Sequence, residues 1–371
     1  MKRLIIFFGS LVFVFALASI LVLFGKGYRL NLDEVTISGT GILTIDSTPD
    51  GAEIFLDEEF KGNTDASITN LKPGKYKVKV TKEGFSTWEK EILIEKEKVL
   101  PIRISLFKSA PDLTALTSSG IISPKISPDG EKIVYGIEKN SKSGIWVIEL
   151  SEGQFIFSKS PKQIAKDSDD FTFSASKFLW SPDSNSILVS GKNIAGKQLN
   201  YLLDSGNLNE SFDDVSAKVK ELKSKWVEEE ENKLKSSLKN LGKEAEELAE
   251  GADKVLVSPD GERVLIIKKG QKTIVYDSNP NIPPGEEPKE FNIPLAQDYI
   301  WYPQTSKHII LVRKESISIV ESDGQNNVTV YTGNFSAGAV FPWIDGSKIA
   351  VTTTLNSSVN ERLNLYTISL R

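Results

Sequence analysis

The chain has 371 residues, no cysteine, a single histidine (His308) and a formal net charge of −5. Without cysteine there is no disulfide, no thiolate metal site and no lipidated N-terminal cysteine, and one histidine excludes any site built from several. The acidic balance argues against nucleic acid as the main partner, because phosphate binding needs clustered Lys and Arg.

The N-terminal segment is uncharged from Leu4 to Phe24. As a helix it is about 31 Å long at about 1.5 Å per residue, enough to cross a hydrocarbon core of about 30 Å. Lys2 and Arg3 precede it and Lys26 and Arg29 follow it, so the positive-inside bias is weak. Its apolar character runs all round, unlike a helix that packs one face on a core. We expect residues 1–30 to be a cytoplasmic stub and an uncleaved transmembrane helix, a single-pass signal-anchor in the cell membrane. The alternative is a cleaved signal peptide: Ala16-Leu17-Ala18 has the small-x-small form, although Ile20 to Phe24 stays apolar beyond it. Both readings place the later domains outside the cytoplasm.

Gly41 to Lys108 reads as all β. In KYKVKV (Lys75–Val80), Tyr76, Val78 and Val80 face one way and the three lysines the other, the period of a half-buried antiparallel strand. GILTID (Gly41–Asp46) and AEIFLD (Ala52–Asp57) behave alike, and the Pro/Gly clusters at Thr48–Ala52 and Lys72–Gly74 mark turns. TPDGAEIFLDEEFKG (Thr48–Gly62) and LKPGKYKVKVTKEGF (Leu71–Phe85) together resemble a PEGA domain, with Pro49–Ala52 where the name-giving motif stands and Asp50 in place of its Glu. The resemblance implies a small β-sandwich over residues 41–108, common on surface proteins, with no catalytic residue. Asp50 then sits in a turn, and a ligand role is the sharper alternative.

From Asp112 onward a unit repeats. SPDGE occurs at Ser127–Glu131 and again at Ser258–Glu262, each time before an apolar strand. Related copies follow Leu179, Ile300 and Val340, so that Pro128, Pro182, Pro259, Pro303 and Pro342 mark five units. Their spacing is about forty residues, with one larger gap after Pro182. Ser opens a type I turn, Pro sets its second position and Gly suits its end. Each unit reads as a turn and two strands of a sheet that buries its faces only against neighbouring sheets. Trp180-Ser181-Pro182-Asp183 and Ile145-Trp146-Val147 resemble the TolB-type propeller repeat, which implies a β-propeller from Asp112 to Arg371. We expect about five blades, with DLTALT (Asp112–Thr117) joining the last blade as its outer edge and removing free sheet edges.

Leu208 to Gly251 interrupts the repeat as a helical insertion. Phe212, Val215, Val219, Leu222 and Trp226 step by three and four, as do Leu234, Leu238, Leu241, Ala245 and Leu248. Glu228 to Glu231 separates the two sets, and Gly242 breaks the second. Its stripe is expected to pack back on the propeller or on itself; the alternative is a partner-binding or self-associating coiled coil.

No nucleophile elbow, phosphate loop or histidine pair is present. Asp129, Asp183, Asp260 and Asp345 all fall in the blade turns, where Asp serves local hydrogen bonding. Asp167 to Asp170 reads as a solvated loop, with calcium as the alternative, and NIPPGEEP (Asn281–Pro288) as a proline-stiffened loop. We therefore expect no catalytic, cofactor-binding or metal residue, and a non-enzymatic role. That role is an extracytoplasmic binding or scaffold protein whose sandwich and propeller engage cell-surface polymer or protein partners. The alternatives are a glycan-active enzyme with paired carboxylates in the propeller funnel and a spacer that oligomerises through the insertion.

Overall fold

A computed structural model describes residues 2–25, 28–31, 36–138, 142–150, 160–268, 270, 272–278, 289–303, 305–336, 338–354 and 362–371. They fall into two units, Met1–Ala110 and Pro111–Arg371.

The first unit begins with helix α1 (Lys2–Gly25). Its described side chains run from Ile6 to Val22, and their apolar members are exposed on every side. That stretch is about 25 Å long at about 1.5 Å per residue. Among the described residues no helix is long and apolar enough to cross a membrane. The side chains of Leu4, Ile5, Leu23 and Phe24, which complete the expected span, lie outside the described ones.

Two sheets follow. One has three strands in the order Ala66–Leu71, Gly41–Thr48, Val99–Ser105; the other has four, in the order Glu59–Asn63, Glu53–Leu56, Gly74–Thr81, Trp88–Ile94. Leu43, Ile45 and Ile104 from the first meet Ile54, Val78, Val80 and Trp88 from the second in one buried cluster, so the unit is a two-layer sandwich. Alternation along KYKVKV does what the period requires: Val78 and Val80 are fully buried. The lysines on the outer face pair across the strand, Lys75 with Glu91 at 2.7 Å and Lys77 with Glu89 at 2.8 Å. That face is therefore charge-balanced and not a basic patch. The Pro49–Ala52 turn is pinned by Thr64, whose carbonyl accepts Gly51 N–H and whose hydroxyl accepts Ala52 N–H.

The second unit holds five four-stranded antiparallel sheets. Blade 1 comprises Ile122–Ile126, Lys132–Ile137, Gly144–Glu149 and Lys162–Lys166; blade 2, Lys177–Trp180, Ser186–Lys192, Gln198–Asp204 and Asp213–Asp214. Blade 3 comprises Lys254–Val257, Arg263–Ile267, Thr273–Asp277 and Lys289–Ile293; blade 4, Asp298–Trp301, His308–Val312, Ser316–Glu321 and Val328–Thr332. Blade 5 takes Val340–Pro342, Lys348–Thr353 and Asn364–Ser369 from the end of the chain and Leu113–Ala115 from its beginning, the latter on the outer edge beside Asn364–Ser369. Neighbouring sheets pack face to face. Val134 and Val147 of blade 1 meet Trp180 and Val189 of blade 2, Tyr135 and Ile148 of blade 1 meet Phe341 and Leu365 of blade 5, and Leu265 of blade 3 meets Trp301 and Leu311 of blade 4. Both faces of each sheet are thus apolar, as a propeller demands.

The insertion departs from its expected layout in two ways. Asp213–Asp214 completes blade 2, pairing with Leu202 and Tyr201. Phe212 and Val215 therefore lie outside the helix, and Phe212 stacks at 4.4 Å on Phe173 in an aromatic cluster with Tyr201. Helix α2 (Val219–Leu241) then runs unbroken through Glu228–Glu231; four glutamates are good helix formers and do not stop it. It ends at Gly242, whose φ of 101° turns the chain into the short helix α3 (Lys243–Ala249). Leu238, Leu241 and Ala245 pack on Val264, Ile266 and Tyr276 of blade 3. Strand alternation puts these opposite Leu265 and Val275, so the helices cover the face of blade 3 turned away from blade 4. The stripe packs back on the propeller, as expected.

Candidate functional site

The turns of blades 1, 2, 3 and 5 are each closed by their own hydrogen bonds. In blade 1 the Ser127 hydroxyl donates to Asp129, whose Oδ1 also accepts Glu131 N–H at 3.0 Å, while Ser127 Oγ accepts Lys132 N–H at 2.9 Å. Ser181, Asp183 and Ser186 repeat this in blade 2, and Ser258, Asp260 and Arg263 in blade 3. In blade 5 Asp345 Oδ1 accepts both the N–H and the hydroxyl of Ser347. The Ser181 hydroxyl, with Asn185 N–H, holds the Asp183 carboxyl below the usual range. Burial pushes Asp260 up, but hydrogen bonds from Ser306 and Ser258 outweigh it, and its pKa lies below the usual range too.

The turns also join the blades. Asp129 N–H donates to Ser184 Oγ of blade 2, and Asp260 Oδ2 accepts Ser306 N–H of the blade 4 turn at 2.8 Å. Arg263 donates to Ser306 Oγ at 2.7 Å and is held by Asp277 at 2.6 Å. The Tyr302 hydroxyl donates to Gly346 O of blade 5. Gly346 has a φ of +68°, and a Cβ there would stand 2.7 Å from the Tyr302 ring, so only glycine fits this seam.

Where four of these turns converge lies a cavity of about 640 Å³. Pro128, Pro259, Pro303 and Pro342 ring it, and Ile300, Trp301, Phe341 and Ile344 supply its apolar wall. Its two carboxylates are Asp129 and Asp298; Asp298 is ion-paired with Lys254 of blade 3 at 2.6 Å. The volume is that of an ordinary ligand pocket. Among the described residues, none of blade 2 lines the cavity.

The structure brings Asp129 to the cavity itself and places Asp260 and Asp345 beside the lining residues Pro259 and Ile344. Asp183 belongs to the turn of blade 2. His308 is buried on the second strand of blade 4, edge-on to the Tyr302 ring at 5.8 Å. Asp167 accepts the N–H and hydroxyl of Ser174, and among the described residues no group of acids or histidines could hold a metal ion. Asp50 is exposed in its turn. Asn281–Pro288 lies outside the described residues. Sequence reasoning did not reach the cavity wall: Ile300, Trp301 and Phe341 look like core residues, and only their place one to three residues before a turn proline links them.

Residues 40–110 match the PEGA domain family, the extent of the sandwich. No curated protein matches the chain. Solved structures similar to it include a putative TolB from Agrobacterium tumefaciens, 14% identical over 68% of this chain and 80% of that one, with a TM-score of 0.22. TolB from Acinetobacter baumannii is 15% identical over 80% and 65%, with a TM-score of 0.20. An auxiliary nutrient binding protein from Bacteroides thetaiotaomicron is 8% identical over 86% and 90%, with a TM-score of 0.29.

Proposed function

We propose that the chain is a membrane-anchored, extracytoplasmic binding or scaffold protein whose sandwich and propeller engage cell-surface polymer or protein partners. One observation carries the binding role: the propeller encloses an apolar cavity where its turns converge, while the turn carboxylates are engaged by their own Ser hydroxyls and main-chain N–H groups. A non-catalytic role fits this arrangement, because Asp298, one of the two cavity acids, is already ion-paired, whereas glycoside hydrolysis needs two carboxylates free to act. Membrane anchoring is supported by the uncharged run from Leu4 to Phe24 and by apolar side chains exposed all round α1, which water disfavours. The test is co-sedimentation of the fragment from Ser38 to Arg371 with purified cell-wall polymer, beside a propeller-only fragment. Pelleting of the longer fragment alone assigns polymer recognition to the sandwich. Pelleting of neither removes the polymer and leaves protein partners. Phase partitioning of the full chain with and without residues 1–30 tests the anchor: unchanged partitioning would overturn it.

A further inference from the structure

The cavity is apolar, and of its two carboxylates Asp298 is neutralised by Lys254 while Asp129 has no cation among the described residues. Asp260 and Asp345 follow the lining residues Pro259 and Ile344 in sequence. None of Asp129, Asp260 and Asp345 forms an ion pair among the described residues; their partners are hydroxyls and main-chain N–H groups, which leave the negative charge uncompensated. Oδ2 of Asp129 and Oδ2 of Asp345 accept no hydrogen bond among the described residues. The cations of these turns have other partners: Arg263 is held by Asp277, Lys132 Nζ reaches Ser184 O and Ser205 Oγ of blade 2 at 3.3 Å, Lys254 is taken by Asp298 of the cavity wall, and Arg371 lies over the Tyr302 ring at 5.8 Å. Hydrogen bonds from Ser258 and Ser306 also keep Asp260 ionised to lower pH.

We propose that the cavity receives a peptide segment in which an apolar side chain is flanked by Lys or Arg. The apolar side chain fills the space among Pro303, Trp301, Phe341 and Ile344, and the cations rest at the carboxylate rim. This inference rests on the binding role proposed above and names the partner class for that site. Charge complementarity selects it. An anionic segment would meet like charge, and the apolar side chains that make up most of the lining give a sugar's hydroxyls few partners beyond the Asp129 carboxylate.

The test uses the full chain in zwitterionic-lipid nanodiscs, with empty discs as the blank, and reads fluorescence anisotropy of labelled peptides. The probes are Lys-Leu-Trp-Leu-Lys, Glu-Leu-Trp-Leu-Glu and Lys-Ser-Gly-Ser-Lys. The first is expected to bind and the other two are not, and its affinity is expected to fall as salt rises, since the rim is exposed to screening. Asp129→Asn and Asp345→Asn keep the oxygen that closes each turn and remove only charge; each should weaken binding by about threefold. Ile344→Asn should weaken it by about tenfold. Glu228→Gln with Glu230→Gln, on exposed helix α2, changes net charge more and should leave affinity unchanged. Equal binding of all three peptides, no binding of the first, or equal losses in the rim and α2 variants would each overturn the proposal. If no peptide binds while the chain still pellets with wall polymer, this inference falls and the binding role stands; if both fail, both fall.

Discussion

The indole Nε1 of Trp180, on the inner strand of blade 2, donates to the main-chain oxygen of Lys125 on the inner strand of blade 1 at 3.1 Å. Trp301 of blade 4 makes the same bond to Leu256 of blade 3 at 2.8 Å. Both tryptophans stand two residues before a turn proline, and both accepting residues three before one. The repeat thus sets not only the blade but the bond that holds it to the one before.

Replacing either tryptophan with Phe keeps most of the apolar volume and removes the donor. We expect each of Trp180→Phe and Trp301→Phe to lower unfolding free energy by about 1 kcal/mol, because a half-buried seam loses one hydrogen bond. The seams are separate, so the double variant should show the sum. Denaturant unfolding followed by circular dichroism checks both statements; a clearly non-additive double would mean that the seams communicate.

The two sides of α2 should respond in opposite ways. Leu238→Ala empties a contact with blade 3 and should cost about 2–4 kcal/mol. Val227 is 53% exposed, and Val227→Lys should leave stability within about 0.5 kcal/mol. Sedimentation velocity of the second variant addresses assembly: an unchanged mass shows that this face does not self-associate.

Gly136, in the second strand of blade 1, admits no side chain, since a Cβ would lie 1.9 Å from Ser174 O. Gly136→Ala must therefore push the chain after blade 1 outward, and we expect a loss of about 3 kcal/mol or more. Thermal unfolding compared with Gly130→Ala separates causes, because nothing lies within 4 Å of a Cβ at Gly130 and only its φ of +76° opposes the change.

Tyr276 links blade 3 to the helical insertion by donating to Glu244 at 3.0 Å. Burial, then the hydrogen bond and charge of Glu244, push its phenol up to about 12. The folded chain favours the neutral phenol, so this contribution to stability is whole below about pH 10 and is lost as pH rises through about 12. Burial also raises Tyr135, Tyr201 and Tyr302, so absorbance titration at the phenolate band should show several late-titrating tyrosines, one fewer in Tyr276→Phe. An unchanged late amplitude in that variant would overturn the assignment to Tyr276.

The five blades were legible because each carries two local signals, a turn proline (after Ser in three of them) and an apolar strand after it. Outer strands were not, apart from DLTALT: Asp213–Asp214 is two residues long and lies where helical spacing dominates the pattern. The same spacing drew Phe212 and Val215 onto a helix, because an aromatic cluster and a helical stripe look alike over a few residues. The cavity was hidden for a different reason. Its wall is assembled from residues as far apart as Ile126 and Ile344, and no local pattern records that juxtaposition. The turn aspartates were read as turn formers, and their hydrogen bonds bear that out; their shared uncompensated charge became visible only when the ring brought them together.

The pairing of Leu113–Ala115 with Asn364–Ser369 makes the first strand of the ring depend on the last one synthesised. As the chain emerges, blades 1 to 4 each have all their strands in hand, but Leu113–Ala115 waits, edge exposed, for a neighbour more than two hundred residues downstream. A chain cut short before Asn364 therefore leaves Leu113–Ala115 with its hydrogen-bonding edge unpaired, and the propeller unclosed at that blade.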